Sequence, residues 1–192
     1  MIFKGNQFYK LIYNHLANYS TQSSKTKMDS VCKVDFGNKG NKVRTALDEN
    51  EKGAFVRKDA TFRNWISEDS DRFKPESGRY HLYISYACPW AHRTLIVSNL
   101  KGLQDHIGLS IVHPTWQKTR PDKDEHAGWV FRSESDEPLQ SATGFGSFPC
   151  KDVIPDTVNN CKSVRELYEL SNGTSGKYSV PVLWDKKEKC TV

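Results

Sequence analysis

No run in this sequence approaches the roughly 20 consecutive apolar residues that span a bilayer, and the mean hydropathy is -0.69. A membrane-spanning helix is therefore not expected. The five cysteines, Cys32, Cys88, Cys150, Cys161 and Cys190, are odd in number and none are paired as Cys-x-x-Cys. This spacing suits neither the even-numbered disulfide framework of a small secreted domain nor paired zinc ligands. It fits a reduced, intracellular compartment. The chain has no GxGxxG or GxxxxGK[ST] phosphate loop, and no internal repeat. The first 28 residues lack both acid and arginine.

The charge is unevenly placed. Of 28 Lys and Arg, 11 lie in residues 1–60, against 6 of the 23 Asp and Glu, and the rest of the chain carries 17 of each. The net charge of +5 belongs to the leader, so the expected folded body is neutral. Nucleic-acid binding calls for a basic patch on a folded surface, and such a partner is not expected. A length of 192 residues suits one domain, or one and part of a second, and 36% apolar residues supply a core.

Residues 1–53 read as leader and flexible linker. Ile2, Phe3, Leu11, Ile12 and Leu16 could form one side of a helix, and Ser and Thr cluster at 20–24. The acid-free composition suits a mitochondrial transit peptide, while the lack of arginine suits a disordered extension. Both readings stay open, with cytoplasm and mitochondrion as the corresponding locations. Phe55, Phe62, Trp65 and Ile66 mark a segment expected to pack onto the main domain, which is set at 54–192.

Order begins at Gly78. Arg79–Tyr86 is rich in β-formers and predicts a strand. Cys88-Pro89-Trp90 follows, then a helix over Ala91–Leu100 with Ala91, Leu95 and Ser98 on one side and Gly102 just past its end. Ile107–His113 predicts a buried strand, making a βαβ unit with the first. Residues 114–150 read as a long polar insertion. Ser163–Leu170 predicts a short helix, Val180–Trp184 a strand opening at a proline, Lys186–Lys189 a charged turn, and Cys190–Val192 the start of a fourth strand. His81, His92 and His113 lack ligand spacing and read as solvent-facing or satisfied, and the five tryptophans read mostly as core or packing residues.

The pattern of strand, Cys-Pro, then helix gives Cys88 its chemical interest. A helix N-terminus offers unpaired backbone N–H groups and the positive end of the helix dipole, and both favour a thiolate, the reactive form of cysteine. A dithiol motif would place a second cysteine at the fourth position, where Ala91 stands. Cys88 would then be resolved by an outside thiol, and glutathione is the abundant intracellular candidate. The competing reading, a buried structural cysteine, is weakened by Val180-Pro181. A proline at a strand opening removes a ladder donor, and in a thioredoxin-like fold it is a cis-proline beside the cysteine.

Three stretches, Gly78-Arg79-Tyr80-His81-Leu82-Tyr83, Cys88-Pro89-Trp90-Ala91-His92-Arg93-Thr94-Leu95 and Leu100-Lys101-Gly102-Leu103, resemble the glutathionyl-hydroquinone reductases. These are the xi class of glutathione transferases, related to the omega class. Gly128-Trp129-Val130-Phe131, Arg165-Glu166-Leu167-Tyr168 and Val180-Pro181-Val182-Leu183-Trp184-Asp185 match in the family's order. The resemblance covers about residues 54–192. It implies an α/β thioredoxin-like fold, the glutathione transferase N-terminal domain, with glutathione as co-substrate and no metal. Cys88 would attack the sulfur of a glutathionylated hydroquinone and be regenerated by glutathione. Trp129 would stack on glutathione, Lys177, Tyr178, Ser179 and Val180 would form a strand-edge contact, and Pro181 would be the structural cis-proline. Lys177 stands where the family usually has arginine, keeping the charge but not the planar fork.

The family continues through a fourth strand to a Glu-Ser pair and an all-helical domain, and its full-length members imply a homodimer. The sequence stops before these parts, so the resemblance implies a truncated product. Three readings follow: a glutathionyl-hydroquinone reductase by descent, an omega-like thioltransferase or dehydroascorbate reductase, and a non-catalytic fragment.

Overall fold

The computed structural model describes residues 62–141, 144–171 and 177–192, all within a compact unit spanning Gly40–Val192. The leader and linker readings over 1–53 lie outside the described residues, as does Phe55.

Strand β1 (Tyr80–Ile84) is buried at all five positions. Its two alternating faces, Tyr80, Leu82 and Ile84 against His81 and Tyr83, therefore both meet protein. Such a strand reads as a continuous buried run rather than an alternation. Helix α1 (Pro89–Leu100) follows, then strand β2 (Ile107–Ile111), which pairs parallel to β1 with Leu82 opposite Leu109. Gly102, just past α1, adopts the left-handed conformation at φ +66. The Leu103 N–H there returns to the Ser98 carbonyl at 2.9 Å, which satisfies an orphan carbonyl at the helix end.

The segment read as a polar insertion holds a small hairpin, β3 (Gln117–Lys118) and β4 (Ala127–Gly128). Helix α2 (Val164–Leu170) is capped by the Ser163 side chain, which accepts the Glu166 N–H. It buries Val164, Leu167 and Tyr168. Strand β5 (Val182–Asp185) lies antiparallel to β1, and β6 (Cys190–Thr191) lies antiparallel to β5. The sheet order is β2-β1-β5-β6, with β1 held between two partners. Pro181 precedes β5 rather than opening it, so the strand begins two residues later than the sequence suggests, where every N–H is free to join the ladder.

A buried ion pair locks β1 to β5. The Arg79 Nη2 and Asp185 Oδ2 are 2.5 Å apart, with side-chain exposures of 5% and 0%. Asp185 Oδ1 also accepts the Lys187 and Glu188 N–H groups at 2.8 and 3.1 Å. These bonds shape the charged turn expected before β6.

One aromatic expectation needs correction, while Trp116, Trp129 and Trp184 pack as expected of most of the tryptophans. Phe62 does pack on the domain, edge-on to Tyr168 at 5.5 Å, but Trp65 is 84% exposed. Trp90 is also half exposed, with the Arg93 guanidinium 4.3 Å from its ring. That contact gives an exposed indole a cationic partner instead of a place in the core. No helix among the described residues is long and apolar enough to cross a membrane.

Candidate functional site

Cys88 is the N-cap of α1. Its backbone is extended, Pro89 occupies the first helical turn, and that turn holds no acidic residue. The turn after β1 delivers it there. Ser85 is fully buried, its carbonyl accepts the Cys88 N–H at 3.1 Å, and its hydroxyl accepts the Ala87 N–H at 3.2 Å. The sulfur is half-buried and makes no hydrogen bond to the helix amides. Instead the thiol donates to the Val180 carbonyl at 3.5 Å, 92 residues further on. The Val180–Pro181 peptide is cis. Cys88 thus sits between a helix N-terminus, which favours negative charge, and a carbonyl that accepts its hydrogen while it is a thiol.

The segment carrying Val180 is held at one backbone carbonyl and through the ring of Tyr178. Val180 is buried, while Lys177 and Tyr178 are half-buried and Ser179 is exposed. The Tyr168 hydroxyl donates to the Ser179 carbonyl at 3.1 Å, and burial pushes the Tyr168 phenol upward despite that bond. The Tyr178 ring stands edge-on to His126 at 5.0 Å and to Tyr168 at 5.9 Å, and the Arg165 guanidinium lies 5.7 Å from its centre. Trp129 follows β4. Its carbonyl accepts the Val164 N–H at the start of α2, and its ring lies edge-on to Trp116 at 5.4 Å.

Of the residues singled out in the sequence, Cys88 and Val180 are in direct contact, with Pro181 next in chain. Tyr178 and Trp129 pack, with Cys88, against the same hydrophobic core. Lys177 and Ser179 lie on the Val180 segment. Trp129 joins them through the shared core, with its ring against Trp116.

Sequence reasoning gave no role to Asp124 or His126, and none to Arg165 or Tyr168 beyond a motif match. The Arg165–Glu169 pair at 3.0 Å has readable helical spacing. The Arg165–Asp124 pair at 2.7 Å joins segments far apart in the chain and leaves no local signal.

The other described cysteines differ from Cys88 in their settings. Burial raises the thiols of Cys150 and Cys190, and pushes that of Cys161 up to about 12, with the Asp156 carboxylate adding to it. A raised thiol holds its proton and is a poor nucleophile. His81 and His113 are buried and hydrogen-bonded, and His92 is exposed. No cluster of three or more potential ligands that could hold a metal is found among the described residues.

A family model described as "Glutathione S-transferase, N-terminal domain" matches residues 87–192. The chain is 36% identical over 138 residues to the glutathionyl-hydroquinone reductase PcpF of Sphingobium chlorophenolicum, covering 71% of this chain and 36% of that protein. It is 40% identical over 136 residues to the glutathione S-transferase omega-like 2 of Schizosaccharomyces pombe, covering 70% and 36%. Among solved structures, the Xi glutathione transferase ECM4 of Saccharomyces cerevisiae in complex with glutathione matches with a TM-score of 0.57 at 33% identity, over 73% of this chain and 43% of that one. The chain therefore spans a little over a third of the length of these curated relatives. The mixed sheet with α1 and α2 is the thioredoxin-like N-terminal domain that the sequence resemblance implied. This chain belongs to the glutathione S-transferase family, and the Cys88 site with its Val180–Pro181 partner lies inside the matched domain.

Proposed function

We propose that the chain reduces glutathionylated hydroquinones at the expense of glutathione, with Cys88 as the nucleophile. The observation that carries this reading is Cys88 at the N-cap of α1 with its sulfur 3.5 Å from the Val180 carbonyl. The Cys88 thiolate attacks the sulfur of the aryl thioether. The aryl carbon–sulfur bond breaks, its electron pair goes to the ring carbon, and that carbon takes a proton to give the free hydroquinone. A Cys88–glutathione disulfide remains. A glutathione thiolate attacks that disulfide, releasing glutathione disulfide and the Cys88 thiolate. Ala91 at the fourth position is buried and carries no sulfur, so the second thiol comes from solution.

Glutathione itself would lie along the Lys177–Val180 backbone, with the Lys177 ammonium for a carboxylate and Trp129 as a stacking surface. The name of the Sphingobium relative supports the hydroquinone substrate. The name of the fission-yeast relative favours a second reading, an omega-like thioltransferase that reduces dehydroascorbate through the same disulfide.

The test is turnover of glutathionyl-menadione and of dehydroascorbate by this chain beside Cys88→Ser. Menadiol release that falls to the uncatalysed background in the variant is expected. Turnover of dehydroascorbate alone would replace the first reading with the second. Equal rates in the two proteins, or folded protein with no turnover of either substrate, would sink both.

A further inference from the structure

The β3–β4 hairpin reaches the Tyr178 ring through one carboxylate. Asp124 Oδ1 accepts the His126 N–H at 3.1 Å and an Arg165 Nη1 hydrogen bond at 2.8 Å, while Oδ2 lies 2.7 Å from Arg165 Nη2. The hydrogen bonds from Arg165 hold the Asp124 carboxyl down at about 2. Thr119 closes the loop of contacts, with its hydroxyl 2.8 Å from His126 Nδ1 and accepting from Arg165 Nη1 at 3.3 Å. His126 and Arg165 both stand against the Tyr178 ring. Tyr168, also against that ring, bonds the next carbonyl along, that of Ser179.

Tyr178 stands two residues before the carbonyl that touches Cys88. A paired, forked contact of this kind fixes direction as well as distance, and the Arg165 side chain is only 12% exposed. Without Asp124, Arg165 would keep Glu169 and Thr119, and His126 would keep Thr119, but the contact that orders both at once would be gone, so two walls of the Tyr178 ring would loosen together.

We propose that Asp124 is a positioning residue for glutathione: it holds His126 and Arg165 against Tyr178, and so sets the Ser179–Val180 backbone beside Cys88. The inference rests on the reading of Lys177–Val180 as the glutathione edge. Asp124 touches no reacting atom and acts only through the two side chains it orders.

The test is calorimetric titration of glutathione into the full chain carrying Cys88→Ser, which removes turnover, with and without Asp124→Asn. The expected result is a dissociation constant raised about tenfold, the scale of coupling within one ion-pair network, at unchanged stoichiometry. A residue that only keeps the domain folded would lower the stoichiometry and leave the constant alone, and that result overturns the proposal. So does a constant within twofold of the parent. His126→Ala provides the same test from the hairpin's outer wall should Asp124→Asn not fold: several-fold weaker binding is expected, and an unchanged constant refutes the mechanism. With both variants folded, their effects should fall short of adding, because both act through one ring. Absence of glutathione binding in the parent itself would instead remove the glutathione reading, and this inference with it.

Discussion

Lowering the pH from 7 to 5 should destabilise the domain through one side chain, His81. The ring is 4% exposed at the second position of β1. Its Nε2 lies 2.8 Å from the Ser110 hydroxyl, which donates its own hydrogen to the Pro155 carbonyl at 2.9 Å. Ser110 oxygen is therefore an acceptor, and Nε2 carries the ring hydrogen. The other nitrogen, Nδ1, faces the backbone of Gly108, where a Cβ would lie only 2.3 Å from it. Burial lowers the His81 value to about 4, with Asp156 opposing and Lys186 adding to the effect. An unfolded histidine titrates near 6.5, so the unfolded chain takes up the proton first. The stabilisation is complete above about 6.5, erodes as pH falls, and is lost by the time pH reaches the folded value. Between pH 7 and pH 5 that amounts to about 2 kcal/mol. Urea unfolding at the two pH values, for the parent and for His81→Gln, measures it. The glutamine amide can still donate to Ser110 but does not titrate, and the carboxylates contribute alike in both proteins. The parent should lose about 2 kcal/mol more than the variant on acidification. Equal losses would mean that the buried imidazole is already charged or is hydrated, and the argument would fail.

Two further substitutions test the frame that carries the site. Gly108→Ala would drive a methyl group into the His81 ring, which is enclosed and cannot swing away, and should cost about 1–3 kcal/mol in chemical unfolding; a loss under about 0.5 kcal/mol would show that the β1–β2 contact has room. Asp185→Asn would leave the buried Arg79 guanidinium with only the half-exposed Glu76 carboxylate, 3.6 Å away, as counter-charge and should cost about 3 kcal/mol. Burial alone would raise Asp185, but the bonds from Arg79 and from the Glu188 and Lys187 N–H groups outweigh it and hold the carboxyl below its usual range. Its stabilisation is present above the usual carboxylate value and fades as pH falls through the depressed one, so the gap between parent and variant should narrow in strong acid.

Much of the setting of Cys88 was legible because it is local. A strand, a Cys-Pro pair, a helix and a following glycine occupy consecutive positions, and each leaves its own mark on the sequence. Cys88 at an N-cap and Gly102 at φ +66 are the structural forms of those marks. The short helix was visible for the same reason, since Val164, Leu167 and Leu170 recur at helical spacing. What escaped was tertiary. β3 and β4 are two residues each, too short for any alternation to show. The pairing of Asp124 with Arg165 has no local spacing to betray it. His81 read as an unremarkable histidine, because nothing in its neighbours announces that β2 will bring Ser110 to it. The link between Cys88 and Val180 was legible through the strand-opening proline and the thioredoxin-like analogy rather than through any spacing, since residues 92 apart carry no shared period.

Ala91 ties this geometry to the chemistry. One helical turn beyond Cys88, it is fully buried in the core cluster. That position faces inward because Leu95 and Ser98 continue the same side of α1 towards the sheet. Alanine there brings no second sulfur to the helix. In the proposed reaction the resolving step therefore falls to a thiol from solution, which must reach the half-buried Cys88. Around Cys88 in sequence, Tyr86, Ala87, Pro89, Trp90 and His92 are exposed, and so is Ser179 beside Val180. Tyr86 and His92 meet edge to face at 5.8 Å. In the proposed reaction the incoming thiol reaches a half-buried cysteine flanked in sequence by these exposed residues, while glutathione lies along the Lys177–Val180 edge.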